Sequence, residues 1–365
     1  MKKNFTIVFL AFATLVFAQA GAPATPYYNG MNWTLTGMSL KSALETRTTT
    51  KHTNFISYTP GVWEASIITD EDPNNSNNVL LIYGWENGSD GNVTNDLSRN
   101  KNFQCGSGDC TGLWNREHVY ARALGTPPLD QGGVSDAGED AHNLRASDVD
   151  RNGNRGNLKF APGNGNSGTV TGGWYPGDEW KGDVARMMMY MYLRYPTQCL
   201  PINVGTGATV TNDTNMIQLF LQWNAEDPVS LYEDNRNTYH GNTANTYAQG
   251  NRNPFIDNPY LATVIWGGPV AENRWPTVIL STEDFVSLEN AFVYPNPAVN
   301  NEVTISSETE LKSIVLYNIN GQIIQEIKNP SKVNDAYKVS DLPKGFYLIQ
   351  LATENASTTK KIIVN

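Results

Sequence analysis

The chain has 365 residues, only 17% of them are charged, and its formal net charge is −10. This acidic balance excludes proteins that coat nucleic acids through bulk electrostatics, because such binding requires a broad positive surface. A protein of this composition that acts on nucleic acid must hold it in a local groove. The length exceeds that of one average domain, so we expect two domains.

The amino terminus has the pattern of a secretory signal peptide. Lys2 and Lys3 precede an apolar run at residues 7–17, and Ala18-Gln19-Ala20 places small residues at the positions that a signal peptidase inspects. The run is well short of the roughly 20 residues of a membrane anchor. We therefore expect residues 1–20 to be removed and the mature protein to be secreted, outside the cell or on its surface.

Three cysteines follow the signal peptide: Cys105, Cys110 and Cys199. In an oxidising compartment Cys105 and Cys110 can close a small loop by a disulfide. Cys199 is then either free or paired in another way. A zinc site made by the first two cysteines and His118 is the competing interpretation, but the sequence offers it no obvious fourth ligand.

Residues 21–276 are predicted to form one domain that mixes helices and strands. In chain order we expect a short helix at residues 40–44, a buried strand at 79–83, loop structure between 87 and 99, a helix at 184–194 and a second helix at 215–224. Asp183 is the expected N-cap of the longer helix, and Pro196 follows its end. The four methionines of that helix are expected to fill the core rather than to line a ligand site.

The most informative local feature is the neighbouring pair Glu117 and His118. The pair does not form a zinc-protease helix motif, because Arg122 stands where that motif needs a second histidine. Adjacent side chains of a regular strand point to opposite faces, so these two can share a site only at a strand end or a bulge. A junction between a strand and a loop is therefore expected. Taken alone, the pair also fits a salt bridge on the surface.

A second polar segment changes that interpretation. Asp140-Ala141-His142-Asn143-Leu144-Arg145 precedes Arg151-Asn152-Gly153-Asn154-Arg155-Gly156-Asn157, and Gly250-Asn251-Arg252-Asn253-Pro254-Phe255 comes later. Together with the Glu-His pair, these motifs resemble the endonuclease I family of periplasmic and secreted bacterial nucleases. That family is a branch of the ββα-metal, or His-Me finger, nucleases. The resemblance covers about residues 28–267.

The resemblance implies a role for each of four residues. Glu117 matches the carboxylate that binds the metal ion, and His118 matches the general base. Asn152 matches the amide ligand at the start of the motif's helix, with Asn157 as the alternative. Arg155 matches a basic residue near the scissile phosphate.

The chemistry of these side chains agrees with the implied roles. One carboxylate and one amide are oxygen ligands suited to a hard ion, with Mg²⁺ expected and Ca²⁺ or Mn²⁺ as alternatives. A neutral imidazole, with an ordinary pKa of about 6.5, can take a proton from an attacking water. Arg116 and Arg145 are further candidates for holding phosphate oxygens. His142 is expected to be a structural histidine on the second strand of the motif.

The composition changes after a predicted linker at residues 277–290. Short alternating strands are expected at residues 303–305, 313–317, 322–327, 345–351 and 361–364. They indicate a small β-sandwich over residues 291–365. Tyr294-Pro295-Asn296-Pro297, Leu342-Pro343-Lys344-Gly345-Phe346-Tyr347 and Lys360-Lys361-Ile362-Ile363-Val364 resemble the C-terminal sorting domain of type IX secretion substrates. This implies contact with that machinery and export across a bacterial outer membrane. Without the resemblance, an adhesion or carbohydrate-binding module is the interpretation.

The sequence thus predicts an α+β fold, in which a ββα-metal nuclease domain precedes a small β-sandwich. The expected activity is metal-dependent endonucleolytic hydrolysis of DNA, and of RNA as a second substrate, with 5′-phosphate products. Little sequence preference is expected, since phosphate contacts alone carry no sequence information. We expect a monomer with no membrane span. The alternatives are an extracellular phosphodiesterase that acts on another phosphate ester, and a Ca²⁺-binding adhesin.

Overall fold

The computed structural model describes residues 21–130, 136–278, 291–307, 310–333, 336–353 and 357–364. The predicted signal peptide at residues 1–20 and most of the predicted linker, residues 279–290, lie outside the described residues. The chain divides into two compact units, Met1–Ser281 and Thr282–Asn365. Within the described residues, no helix is long and apolar enough to cross a membrane.

The first unit mixes short helices with small antiparallel sheets. Its helices are α1 (Gly37–Lys51), α2 (Trp63–Thr69), α3 (Val149–Arg155), α4 (Lys181–Arg194), α5 (Pro201–Val204), α6 (Gln218–Glu226), α7 (Leu231–Gly241), α8 (Pro254–Asp257) and α9 (Tyr260–Trp266). Its strands are β1 (Glu71–Asp72), β2 (Asn75–Leu80), β3 (Ser98–Asn100), β4 (Trp114–His118), β5 (Leu144–Asp148), β6 (Gly168–Val170), β7 (Gly173–Tyr175), β8 (Thr209–Val210) and β9 (Asp213–Ile217). The sheets are β1-β2-β3, β4-β5, β6-β7 and β8-β9.

Helix α4 runs through the centre of the first unit. Every residue from 182 to 193 is buried, including the four methionines that were predicted to fill the core. The prediction that Asp183 caps this helix is wrong, because the helix begins at Lys181 and Trp180 is its N-cap. Asp183 lies inside the first turn, where its carboxylate pairs with the Arg145 guanidinium at 3.1 Å.

Two predicted elements have different boundaries from those expected. Strand β2 ends at Leu80, three residues before the expected end, because the chain turns there and the Gly84 N–H donates to the Leu81 carbonyl at 2.9 Å. The helix expected at residues 215–224 begins only at Gln218. The preceding residues form β9, in which Ile217 pairs with Thr209 of β8.

A strand–strand–helix unit carries the motifs singled out in the sequence. Strand β4 pairs antiparallel with β5, so that Glu117 lies opposite Arg145 and His118 lies opposite Leu144. Helix α3 follows β5 without a loop. It begins there because the Asp148 carboxylate accepts hydrogen bonds from the N–H groups of Asp150 and Arg151. These two N–H groups of the first turn would otherwise have no partner within the helix.

The cysteine loop just before β4 is closed by a disulfide. Cys105 and Cys110 are bonded, with 5.4 Å between their Cα atoms, as one of the two interpretations predicted. The zinc alternative fails because both thiols are consumed by this bond. Cys199 is a buried free thiol.

The second unit is a curled sheet of seven strands among the described residues. They are β10 (Phe292–Val299), β11 (Glu302–Ser306), β12 (Ser313–Asn318), β13 (Ile323–Lys328), β14 (Tyr337–Val339), β15 (Gly345–Ala352) and β16 (Ser357–Val364), in the order β13-β12-β15-β16-β10-β11-β14. Val303 and Ile305 of one half pack in a single core with Ile314 and Ile349 of the other. The unit is therefore sandwich-like, as predicted, although β10 and β14 were not foreseen.

Candidate active site

Strand β4 ends at His118, so the Glu-His pair lies at the expected junction between a strand and a loop. The register with β5 is unbroken over the whole strand, with no bulge. Successive side chains therefore face opposite sides of β4. Glu117 faces helix α3, whereas His118 faces Tyr58. The expected convergence of the two side chains onto one face of the strand does not occur.

Helix α3 docks on β4 through two pairs of side chains. The Asn152 amide donates to the Asn115 side-chain oxygen at 2.8 Å and to the Arg116 carbonyl at 3.4 Å. One turn later, the Arg155 guanidinium donates to Glu117 Oε1 at 3.2 Å. These contacts fix Asn152 in the second turn of the helix, rather than at its start as predicted.

The Glu117 carboxylate is buried, with 3% of the residue exposed. Its Oε1 atom accepts from the Tyr83 hydroxyl at 3.0 Å as well as from Arg155. Burial raises the pKa of this carboxyl to about 7, while the Arg155 charge and the Tyr83 hydrogen bond act in the opposite direction. No described residue donates a hydrogen bond to Oε2.

These residues fit a hard divalent ion by the chemistry of their unused oxygens. Glu117 has one free carboxylate oxygen, and the Asn152 amide has both its described hydrogen bonds on nitrogen, which leaves Oδ1 free. Carboxylate and amide oxygens are the ligands that Mg²⁺ and Ca²⁺ prefer. Among the described residues, no cluster of three or more His, Cys, Asp or Glu side chains could hold a metal ion. Water and substrate oxygens would therefore have to complete the coordination.

Tyr83 is a site residue that the sequence analysis missed. Its backbone φ is +74°, a left-handed conformation that is strained for an aromatic residue. Such strain persists only where contacts with the surrounding structure hold the backbone in that conformation. Here the Ser167 hydroxyl donates to the Tyr83 carbonyl at 2.6 Å, and the Trp180 indole donates to the Gly84 carbonyl at 2.8 Å. The strained turn brings the Tyr83 hydroxyl to Glu117, but in the sequence it is only the end of an apolar run.

The imidazole of His118 is held in one tautomer. Its Nε2 lies 2.9 Å from the carbonyl oxygen of Gly138. Because a carbonyl only accepts, Nε2 carries the proton and Nδ1 keeps its lone pair. The Tyr58 ring stacks on the imidazole, with 5.6 Å between centroids and 18° between planes. Burial, reinforced by Arg122 and Arg116, lowers the pKa of His118 to about 4, so the ring is neutral at ordinary pH.

Arg155 has an environment that contradicts the predicted contact with a scissile phosphate. The residue is 1% exposed. Besides Glu117, its guanidinium donates to the carbonyls of His118 at 3.0 Å and Val119 at 2.8 Å. All of these acceptors belong to the protein, so Arg155 ties α3 to the end of β4.

The two other candidate arginines differ from each other. Arg145 is buried and paired with Asp70 at 3.4 Å and with Asp183, so it cannot reach a phosphate. Arg116 is half-buried, and its guanidinium lies 3.6 Å from the centroid of the Tyr58 ring, on the same face of β4 as His118. Of the predicted arginines, Arg116 is therefore the one near enough to the surface for substrate.

The remaining candidates lie apart from β4. Asn157 is exposed and lies beyond the end of α3. His142 lies in a short turn before β5, not on the strand, and its Nε2 is 3.2 Å from the Asn251 carbonyl. It is buried against His240, with 4.9 Å between the ring centroids.

Comparisons with known proteins agree with this arrangement. Residues 36–260 match the sequence family described as endonuclease I, and residues 292–365 match the secretion system C-terminal sorting domain. The chain belongs to the endonuclease I family. It is therefore a nuclease, a phosphodiester hydrolase, with an α+β fold, as predicted.

Two curated relatives are extracellular ribonucleases. The one from Bacillus subtilis (strain 168) is 41% identical over 261 residues, which are 67% of this chain and 82% of the relative. The one from Bacillus amyloliquefaciens is 40% identical over 240 residues, 63% of this chain and 74% of the relative. Together with the sorting domain, they confirm the prediction of an exported protein that acts outside the cell or on its surface.

Proposed function

We propose that this protein is a divalent-metal-dependent endonuclease that cleaves DNA and RNA with little sequence preference and leaves 5′-phosphates. The observation that carries the proposal is the pair of free oxygens on Glu117 and Asn152, with His118, a neutral histidine with a defined lone pair, as the next residue at the end of β4. Because Glu117 and His118 lie on opposite faces of β4, the scissile phosphate is proposed to lie across the open end of this strand, within reach of both. Both Bacillus relatives are extracellular ribonucleases, which favours RNA as one substrate.

In this proposal His118 is the general base. Gly138 fixes the proton on Nε2, so Nδ1 is the atom that takes a proton from the attacking water. A pKa of about 4 makes the free imidazole a weak base. A bound phosphate adds negative charge near Arg116 and Arg122, and this charge raises the pKa of His118 when substrate is present.

Glu117 and Asn152 are the proposed metal ligands. A divalent ion held by them would stabilise the negative charge that develops on the scissile phosphate and on the leaving oxygen. Tyr83 and Arg155 hold Glu117 Oε1, which would leave Oε2 as the oxygen that binds the ion. Asn115 holds the Asn152 nitrogen, which would leave its oxygen for the ion in the same way. Such supporting contacts commonly orient metal ligands.

Sequence preference is expected to be low for a physical reason. The side chains gathered at the end of β4 and on α3 are suited to phosphate, water and a cation. Direct readout of sequence requires donors and acceptors aimed at base edges. We therefore propose that the position of cleavage on the nucleic acid depends on how accessible its sugar-phosphate backbone is.

One set of digestions tests the proposal against its alternatives. Supercoiled plasmid, a folded RNA and a small phosphodiester are each incubated with Mg²⁺ and with EDTA. We expect nicking of the plasmid and cleavage of the RNA with Mg²⁺, and neither with EDTA. Hydrolysis of the small ester alone would support the phosphodiesterase alternative, and no hydrolysis of any substrate would support the adhesin.

A further inference from the structure

A cavity of about 270 Å³ lies next to the backbone of Tyr83, the residue whose hydroxyl contacts Glu117. Trp85, which is partly exposed, and Trp180, which is buried, line it on its aromatic side. The rim carries Asn166 and Glu179, both exposed and with no side-chain hydrogen bond to a described residue. The cavity thus combines flat apolar walls with a polar edge.

The cavity is joined to the proposed metal site through two residues. Ser167 lines it and donates to the Tyr83 carbonyl at 2.6 Å, and the Tyr83 hydroxyl donates to Glu117. Arg151, which immediately precedes Asn152, places its guanidinium 4.3 Å from the centroid of the Trp85 ring. The same guanidinium donates to the Ser167 carbonyl at 2.6 Å, so the orientation of Trp85 is fixed.

The charges at the rim decide what kind of group can enter. Asp178 and Glu179 both line the cavity. The Asp178 carboxylate accepts from the Tyr175 hydroxyl, which lowers its pKa and keeps it ionised. Two carboxylates repel a phosphate, so the sugar-phosphate backbone is excluded. They accept hydrogen bonds, however, from the N–H groups that a nucleobase carries on its edge.

We propose that this cavity is a subsite for one unpaired nucleobase of the substrate, next to the scissile phosphate. The base lies against the Trp85 ring, and its polar edge reaches Asn166 or Glu179. Aromatic walls accept any base, because every base has a π-face, so the subsite favours single-stranded segments without imposing a sequence. This inference rests on the proposed nuclease function and adds the form of substrate that the enzyme prefers.

Abasic substitutions in short single strands test the subsite. The substrates have one ordinary phosphodiester among phosphorothioate linkages, and one base is removed at each position in turn. In the wild-type protein we expect one position whose loss lowers kcat/KM by about 5- to 150-fold, the range for stacking on one aromatic side chain. For Trp85→Ala we expect kcat/KM on the intact single strand to be lower than that of wild type by a similar factor. Removing the base at the sensitive position then lowers the kcat/KM of this variant no further.

Matched variants separate the subsite from a loss of folding. Trp85→Phe keeps a stacking ring and stays within a few fold of wild type. Phe103→Ala removes an exposed aromatic away from the cavity and changes nothing. The inference is overturned if the wild type responds equally to abasic residues at every position, or if the Trp85→Ala and abasic losses simply multiply. If the wild-type protein cleaves no nucleic acid at all, it is the proposed function that fails.

Discussion

The two carboxylate oxygens of Glu117, the proposed metal ligand, have different environments. One of its oxygens is held by Tyr83 and Arg155, and the other is free of protein donors. Burial raises the pKa of Glu117 to about 7, which costs free energy at neutral pH unless a positive charge stabilises the carboxylate. Arg155 supplies part of that charge, and the proposed divalent ion would supply the rest. The strained backbone of Tyr83 is explained if its purpose is to bring a hydroxyl to this carboxylate.

Tyr83→Phe removes this hydroxyl but leaves an aromatic residue in the same left-handed backbone conformation. We expect metal affinity to fall by about 10- to 100-fold, the usual effect of losing a contact that orients a ligand. Calorimetric titration with Mg²⁺ measures this directly, and the half-saturating Mg²⁺ concentration for cleavage should rise in parallel. Tyr192→Phe is the control, because that buried hydroxyl donates to Asp213 in a different part of the core. Equal Mg²⁺ affinities for wild type and Tyr83→Phe would refute this role.

Asn152 and Asn157 provide a second comparison at the scale of residues. Asn152→Ala removes the proposed amide ligand, so high Mg²⁺ should restore part of the lost cleavage. Asn157→Ala should leave both cleavage and Mg²⁺ dependence unchanged, since Asn157 lies beyond the end of α3. The measurement is the cleavage rate as a function of Mg²⁺ concentration. Rescue by Mg²⁺ of Asn157→Ala, and not of Asn152→Ala, would contradict the assignment.

The elements of the site were partly predictable from the sequence. The alternation of side chains along a strand placed Glu117 and His118 at a strand end, and the resemblance to endonuclease I implied a helix that carries Asn152. What could not be predicted were the long-range partners. Nothing near Arg155 in the sequence indicates that its guanidinium would be enclosed by the carbonyls at the end of β4. The Gly138 carbonyl that fixes the His118 tautomer is equally remote, and hence invisible to local patterns.

The predicted element boundaries were wrong where contacts with other segments outweighed the local periodicity. Residues 215–217 have helical spacing with those that follow, yet they pair with β8. Asp183 looked like a helix cap, yet it forms a buried ion pair with Arg145. In both cases the local pattern was real, but a partner outside the segment offered a better interaction.

Helix α7 and the turn before β5 place two histidines in contact inside the core. The rings of His142 and His240 lie 4.9 Å apart, and neither ring nitrogen of His240 has a hydrogen-bond partner among the described residues. Burial lowers the pKa of His142 to about 4 and lowers that of His240 well below its usual range, although Asp140 opposes this at His142. Both rings are therefore neutral in the folded protein.

This pair predicts loss of stability in acid. The unfolded histidines take up protons below their ordinary pKa of about 6.5, but the folded ones do not. The contribution of the two neutral histidines to the free energy of unfolding is therefore fully present above about pH 6.5. It is lost as the pH drops towards 4, by up to about 1.4 kcal/mol per histidine per pH unit. His240→Phe should flatten this dependence. The check is Tm against pH, with Met189→Leu, a buried change that does not titrate, as the control. An unchanged slope in His240→Phe would exclude His240 as a source of acid sensitivity.

At the scale of the whole molecule, catalysis and export belong to different units. All of the proposed site residues lie within residues 36–260, which match endonuclease I, whereas residues 292–365 match the sorting domain. The second unit has its own apolar core, formed by both halves of its sheet. Each unit can therefore fold by itself.

A chain that ends at Ser281 tests this division. We expect it to keep full nuclease activity as purified protein, because no proposed ligand or base is removed. In the native cell it should fail to reach the exterior, since the sorting domain is absent. Cleavage rate, circular dichroism and the distribution between cell and medium are measured together. Loss of cleavage in a chain that stays folded would show that the second unit takes part in catalysis.

The central claim is that His118, kept neutral by burial and fixed in one tautomer by the Gly138 carbonyl, activates the water that attacks the scissile phosphate. The most direct test is the rate of plasmid cleavage by His118→Ala at saturating Mg²⁺, compared with wild type under single-turnover conditions. We predict a loss of about 10²- to 10⁴-fold, the usual contribution of a general base, with Mg²⁺ affinity unchanged because Glu117 and Asn152 remain. Cleavage by His118→Ala at close to the wild-type rate would contradict the account.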